Sequence, residues 1–295
     1  MIRREFIKYL SAFSAIGMVG GFRPVFSILA TPEQELETTK AIFDSIINKR
    51  MTACGFKQPI GELIGQIADD LTGTPYIGGT LEGPGAEICR INLTGLDCVT
   101  FFENVLVIAR MLKKPERKLK FKDMLRELTY TRYRDGKLTD YSSRLHYTAD
   151  WIDDNIAKGV VKSIINETGG EIFPLKLSYM SKHPQYYPKL KDDAEMTAKI
   201  AEIEKKINSR THYFIPKKKV AAAEKYFQTG DIVAIATSKA GLDYSHTGLI
   251  IKGDPDKAMF MHASSTQKMV VLDARISEYL KANNSNIGIT VVRPI

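Results

Sequence analysis

The strongest constraint on this chain is a change of texture at Gly230. Before it, apolar residues recur at the three-to-four-residue spacing of helices. After it come short apolar runs broken by turn residues: Asp231 to Ala236, His246 to Ile251, Ala258 to His262, Met269 to Leu272, and Ile287 to Val292. These runs read as antiparallel strands, with Gly253-Asp254-Pro255-Asp256 as a turn between two of them. Helices first and strands last predict an α+β fold. With 295 residues, 44% hydrophobic and 26% charged, the chain can bury such a core, and its composition argues against disorder or fibre.

Upstream, Thr31 reads as an N-cap, Pro32 as first-turn proline, and Glu33 and Glu35 as acids at the positive end of a helix carrying Ala41, Ile42, Phe43, Ile46 and Ile47. A second helix is predicted from Gly61 to Asp70. The stretch from Tyr76 to Asp97, rich in Gly, Thr and Pro, reads as a loop, the kind of segment on which sites are built. Cys98 to Leu112 reads as a buried helix with the cysteine at its start. From Lys113 to Thr211 the chain is mostly helical in pattern and charged, and Glu202 to Lys206 has the mixed signs of an exposed helix. The expected organisation is one catalytic domain over 31–295, with a helical N-terminal extension and a helical insertion at about 113–211.

Residues 1–30 read as an export signal. Arg3, Arg4 and Lys8 form a positive region, Tyr9 to Phe22 is uncharged and apolar, and Leu29-Ala30 before Thr31-Pro32 offers a small-residue exit. The apolar stretch is shorter than the roughly 20 residues that span a bilayer, so no stable membrane span is expected in the mature chain. Arg3-Arg4-Glu5-Phe6-Ile7-Lys8 resembles a twin-arginine signal, with Arg23 and Pro24 departing from the pattern. The expected location is outside the cytoplasm, in the periplasm.

The net charge of +8 favours anionic partners without choosing among them. The densest run, Lys113 to Lys122, has no interleaved aromatics and reads as a solvated face, so nucleic acid is not an expected partner. Three cysteines are too few for a disulfide scaffold, and no Cys-x-x-Cys occurs. In an oxidising compartment Cys54 and Cys89 can pair and leave Cys98 as the remaining thiol.

A nucleophilic cysteine must ionise near neutral pH, although a free thiol titrates at about 8.5; a helix N-terminus and a neighbouring histidine both favour the thiolate. Cys98 meets the first condition, and unpaired amides of its first turn could serve an oxyanion. His246 heads one strand and His262 ends the next, so a hairpin brings them together, with the second histidine able to fix the tautomer of the first. The plainer alternative is a buried small hydrophobe and two structural histidines.

Gly73-Thr74-Pro75-Tyr76 with Gly78-Gly79, Asp97-Cys98, Gly230-Asp231-Ile232-Val233, Ser245-His246-Thr247-Gly248-Leu249-Ile250 and Phe260-Met261-His262-Ala263-Ser264 together resemble the ordered motifs of NlpC-type cell-wall cysteine hydrolases. The resemblance covers most of residues 60 to 295. It implies a papain-like core in which the catalytic cysteine starts a helix packed on a small antiparallel sheet, with Cys98, His246 and His262 catalytic and Tyr76, Asp97 and Ser245 at the substrate. Where the common form follows Asp-Cys with Ser-Gly, this chain has Val99 and Thr100. That departure, the Thr80-Leu81-Glu82 segment, the long insertion and Arg144-Leu145-His146-Tyr147 resemble the N-acetylmuramoyl-L-alanine amidase-like branch. The implied reaction is cleavage of the amide between N-acetylmuramic acid and L-alanine in peptidoglycan fragments (muropeptides), without cofactor or metal. Alternatives are an endopeptidase cutting between D-glutamate and the diamino acid, an inert wall-binding module, and a zinc site on Cys98, His246 and His262. Asp97 is alternatively a helix cap, Ser245 a strand-end hydroxyl bonded to backbone, and His146 a core histidine beside Tyr147 and Trp151. N-terminal sequencing of protein recovered from outside the cytoplasm is expected to return Thr31 as the first residue; an intact Met1 would overturn the cleaved-signal expectation.

Overall fold

The computed structural model describes residues 32–295 apart from 54, 115–117 and 255–256, and apart from the side chain of Phe56. The export signal, the Thr31 cap, Cys54 of the two cysteines able to pair, Arg117 of the basic run and the Pro255-Asp256 half of the predicted turn lie outside the described residues.

Helix α1 (Pro32–Thr52) carries Glu33 and Glu35 in its first turn and Lys49 and Arg50 in its last, both matched to the helix dipole, and buries Phe43, Ile46 and Ile47. Arg50, itself buried, ties it to α2 (Ile60–Asp70) by pairing with Asp70 and donating to the Gln66 carbonyl at 2.8 Å. Helix α3 (Cys98–Leu112) is buried on every side from Thr100 to Ala109. A helix apolar all round needs cover all round. Helices α1, α2 and α4 (Phe121–Arg132) supply part of it, and α5 (Thr148–Ala157) sets Trp151 edge-on to Phe102 at 5.0 Å. The one acid in this helix, Glu103, is 1% exposed; it accepts from Arg132 Nε at 2.8 Å and Trp151 Nε1 at 3.0 Å.

The remainder of the cover is, among the described residues, a sheet of eight strands. In chain order these are β1 (Val161–Ser163), β2 (Glu171–Phe173), β3 (His212–Pro216), β4 (Ile232–Thr237), β5 (Tyr244–Asp254), β6 (Lys257–Ser264), β7 (Met269–Arg275) and β8 (Asn286–Pro294). Their spatial order is β2-β3-β8-β4-β5-β6-β7, with β1 paired to β8, and each of these pairings is antiparallel. Along β4, Ile232, Ala234 and Ala236 join the α3 core, while Val233 and Ile235 join a second core with Val220, Ile250, Phe260 and Ile276. Cover on both faces is why the central strands read as continuous apolar runs rather than as alternation. The second core is closed by α7 (Lys217–Ala223) and the one-turn helix Ile276–Tyr279; α6 (Ala194–Asn208) precedes β3 in the chain.

The five predicted C-terminal strands are present, in an α+β arrangement. The expectation of helices first and strands last is corrected: β1, β2 and β3 arise at 161–216, inside or at the end of the expected helical insertion, and extend the sheet beyond the small one anticipated. These strands are three to five residues long, too short for a periodicity to register. Glu204 also corrects the picture of an exposed Glu202–Lys206 helix. It is 3% exposed and accepts from Tyr147 Oη at 2.6 Å and from the Met180 and Ser181 amides at 3.1 Å each.

Strand β4 starts against α2 at a close backbone approach. Gly230 has φ +88°, and a Cβ there would stand 2.6 Å from the Cα of Gly61. Gly230→Ala is therefore expected to lower the unfolding free energy by about 2 kcal/mol or more in urea titration, since it adds both strain and overlap.

Candidate active site

Helix α3 begins at Cys98 because Asp97 stops extended backbone there and caps the first turn. Its Oδ1 accepts from the Val99 amide at 3.1 Å and the Thr100 amide at 2.8 Å, and Thr100 Oγ1 accepts from the Asp97 amide at 2.9 Å. This reciprocal box explains Thr100, one of the two departures from Ser-Gly. It also corrects an expectation, because the Val99 and Thr100 amides are taken by the cap and do not await an oxyanion. Cys98 is half-buried and sits in the first turn, at the positive end of the α3 dipole. Its carbonyl accepts from Thr247 Oγ1 at 2.7 Å, which pins the start of α3 to β5 beside His246.

Strands β5 and β6 pair with Leu249 opposite Met261 and Ile250 opposite Phe260. That register brings His246 and His262 to one end of the sheet, with His246 Nε2 2.6 Å from His262 Nδ1 and the rings nearly perpendicular. Gly248 lies between them in sequence; a Cβ there would stand 2.5 Å from the Met261 carbonyl oxygen and 2.6 Å from the Phe260 ring. On β7, Val271 is the partner of His262, and Asp273, two residues on, reaches back to it, Oδ2 lying 3.4 Å from His262 Nε2.

Direction along this chain follows from the acceptor at its end. A carboxylate only accepts, so Nε2 of His262 carries the hydrogen and Nδ1 offers its lone pair. His246 then donates from Nε2, and its Nδ1 is the basic nitrogen. Burial, opposed by the Asp273 carboxylate, holds the pKa of His262 below the usual imidazole range; burial and then His262 hold that of His246 well below it. Both rings are neutral at physiological pH.

Aromatic rings pack around the pair. The Phe260 ring stacks on His262 at 4.7 Å, and Tyr279 lies 5.0 Å from His262 and 6.2 Å from His246, ring centre to ring centre. The pKa of Tyr279 is pushed up to about 12, by burial first, then by Asp273 and by Cys98, so its hydroxyl lies within electrostatic reach of the thiol.

Tyr76 is brought alongside through its backbone. Its amide donates to the Lys268 carbonyl at 2.8 Å, Ile77 donates to the Leu96 carbonyl at 3.1 Å, and the Leu96 amide donates to the Pro75 carbonyl at 2.9 Å. The segment around Tyr76 thus bridges the edge of β7 and the residues leading into Cys98. Ser245 is not joined to this cluster: it sits at a bulge in the β4–β5 ladder, its hydroxyl 3.4 Å from the Ile235 carbonyl oxygen and 3.3 Å from Asn286 Oδ1. His146 Nε2 lies 2.7 Å from the Tyr141 carbonyl oxygen, with its ring against Tyr141. Cys89 is half-buried, its sulfur 3.9 Å from the Leu125 carbonyl oxygen, and burial raises its pKa. Asp273, Tyr279 and Thr247 were missed by sequence reasoning. Asp273 stands one residue beyond the run that ends at Leu272, and no local pattern there announces which histidine it meets.

A helix-started cysteine, two hydrogen-bonded histidines and a carboxylate on an antiparallel sheet define a hydrolase-like site, and the comparisons agree in class. The chain belongs to the AmiA-like, N-acetylmuramoyl-L-alanine amidase-like family, whose model matches residues 66–289. Among solved structures it is similar to an N-acetylmuramoyl-L-alanine amidase from Bacteroides uniformis, with 36% identity and a TM-score of 0.75 over 80% of this chain and 99% of that one. A Bacteroides fragilis protein named provisionally as a xylanase is also 36% identical, with a TM-score of 0.71 over 77% of this chain and 98% of that one. Protein LPG0564 from Legionella pneumophila, 21% identical with a TM-score of 0.68 over 88% and 96% of the two chains, shares the fold. Comparison with curated proteins gave no match.

The depressed histidine pKa values set a pH dependence of stability. Above the ordinary value of 6.5, folded and unfolded chains both hold these imidazoles neutral, and they contribute no difference. As pH falls through 6.5 the unfolded chain binds protons that the folded site refuses, so stability is lost. Urea titrations at pH 7 and pH 5 are expected to show a larger fall for wild type than for His246→Asn; equal falls would contradict the neutral buried pair.

Proposed function

We propose that the protein is a cysteine amidase of the NlpC-type, papain-like kind, cleaving the amide between N-acetylmuramic acid and L-alanine in peptidoglycan fragments. The observation that carries this is the hydrogen-bonded line from Asp273 through His262 to His246, with Thr247 holding the start of α3 beside it. In the proposed reaction His246 Nδ1 takes the Cys98 proton and the sulfur attacks the lactyl carbonyl. The C–N bond breaks as His246 returns the proton to the leaving amine of L-alanine, and water then hydrolyses the muramoyl thioester. His262 orients His246, and Tyr76 faces the substrate. Asp97 and Ser245 serve the framework in this scheme, the first as cap and the second at the bulge. Export to the periplasm, where wall fragments occur, is part of the same proposal.

A glycosidase of the kind one neighbour's name suggests needs two carboxyl groups flanking the scissile bond. The two carboxylates described at the site are otherwise engaged, Asp273 on His262 and Asp97 on the first-turn amides of α3. A zinc site on the two histidines also fits poorly. Nitrogens each 2.0–2.1 Å from a tetrahedral zinc stand about 3.4 Å apart, whereas His246 Nε2 and His262 Nδ1 are hydrogen-bonded at 2.6 Å.

Mass analysis of digested muropeptides is the test. Free muramoyl sugar and intact stem peptide are expected, and a dipeptide released from the stem would favour the endopeptidase. Cys98→Ala is expected to lower kcat by at least about 10³-fold with the fold retained. Retained hydrolysis in that variant would remove the nucleophile, and binding without turnover in wild type would leave a wall-binding module.

A further inference from the structure

We propose that Asp273 is a positioning residue that sets the direction of the hydrogen bonds through His262 and His246, and that Gln267 and the Ala274 amide hold it in that role. The proposal rests on Cys98 being the nucleophile and His246 its base, and it names what makes His246 a base at the correct nitrogen.

Three donors converge on this carboxylate. The Ala274 amide donates to Oδ1 at 2.7 Å, Gln267 Nε2 donates to Oδ2 at 3.0 Å, and His262 Nε2 faces the same oxygen at 3.4 Å. Gln267 belongs to the β6–β7 turn, where its own amide donates to Ser264 Oγ at 3.1 Å. The next residue, Lys268, has φ +64°, a conformation uncommon outside glycine, and its carbonyl is the one that accepts from Tyr76. One turn therefore places both the side chain that steadies Asp273 and the carbonyl that holds the substrate-facing segment. His262, 1% exposed, has no bulk water to choose its tautomer, so its buried partners decide it: the Asp273 carboxylate facing Nε2, with the Ala263 backbone as a further hydrogen-bond partner of the ring.

An asparagine at position 273 could not keep this polarity. Its oxygen is forced toward the Ala274 amide, because a backbone N–H cannot turn away. Its NH2 then faces His262 and Gln267. Gln267 can rotate its amide and present oxygen, but His262 must present a bare Nε2 and move its hydrogen to Nδ1. That hydrogen points at His246 Nε2, which becomes the acceptor, and His246 Nδ1 acquires the hydrogen. The ring nitrogen that should receive the thiol proton is then already occupied. Alanine imposes no donor, so Asp273→Ala leaves the wild-type direction accessible.

The full chain, wild type and as Asp273→Asn, Asp273→Ala and Cys98→Ala, is assayed on muropeptides. Alkylation of Cys98 by iodoacetamide is followed against pH by peptide mass analysis, which separates it from Cys54 and Cys89. Asp273→Asn is expected to lower kcat by about 10- to 100-fold at pH 7, with KM and melting temperature close to wild type, and to move the alkylation curve to higher pH. Asp273→Ala is expected to lose less. Asp273→Asn with wild-type kcat and an unmoved alkylation curve overturns the proposal. So do equal losses in both Asp273 variants accompanied by a lowered melting temperature, which would make the residue structural. A Cys98→Ala enzyme that retains activity sinks the nucleophile itself, whereas failure of the Asp273 proposal alone leaves Cys98→Ala inactive.

Discussion

The contact on which the rest of the structure depends is the docking of the α3 N-terminus on β5, marked by the bond from Thr247 Oγ1 to the Cys98 carbonyl. Helix α3 is apolar all round and is stable only where sheet and helices enclose it. Enclosure fixes its axis, and the Asp97 cap fixes where it begins. Glu103 then limits rotation, since its bonds to Arg132 and Trp151 would be lost with any turn of the helix. Leaving that carboxylate buried without its arginine would cost about 3–5 kcal/mol, a strong restoring force on the register. The position of one sulfur atom is thus the outcome of packing spread over most of the domain.

The loop before α3 shows how a segment without regular structure is made rigid. Residues 73–77 pair with β7 on one side and with Leu96 on the other. Farther along, the buried Arg144 guanidinium pairs with Glu82 at 2.6 Å and donates to the Leu81 carbonyl at 3.2 Å, while Tyr133 Oη donates to Glu87 at 2.9 Å. The Thr80-Leu81-Glu82 segment and Arg144 are thus partners across the loop. Arg144 comes from the segment 113–211, so that segment braces the loop before α3 as well as extending the sheet.

Legibility followed length and periodicity. The α3 boundaries and the five C-terminal strands could be read because each is a long apolar run or one bounded by turn residues. Strands β1 and β2 could not, since three residues with two exposed carry no period and owe their conformation to the strands they pair with. Glu204 sits in a sequence of mixed charge that looks solvated. Its burial comes from the Tyr179–Lys182 helix, whose first amides it accepts. Charge says what a side chain would prefer, and the neighbours decide what it receives.

The same division runs through the site. Sequence alone determined the residues of the candidate site that local wording marks: a cysteine at a helix start, the acid before it, and histidines on successive strands. It also determined the fold class, because hydrophobic periodicity is a local property. Tertiary structure alone decided that His246 meets His262 through Nε2 and Nδ1, that Asp273 ends the line, that Tyr279 packs beside it, and that the Val99 and Thr100 amides are already taken. The reason is geometric. Which nitrogen faces which partner depends on strand register and twist, and these are set by contacts between residues far apart in the chain.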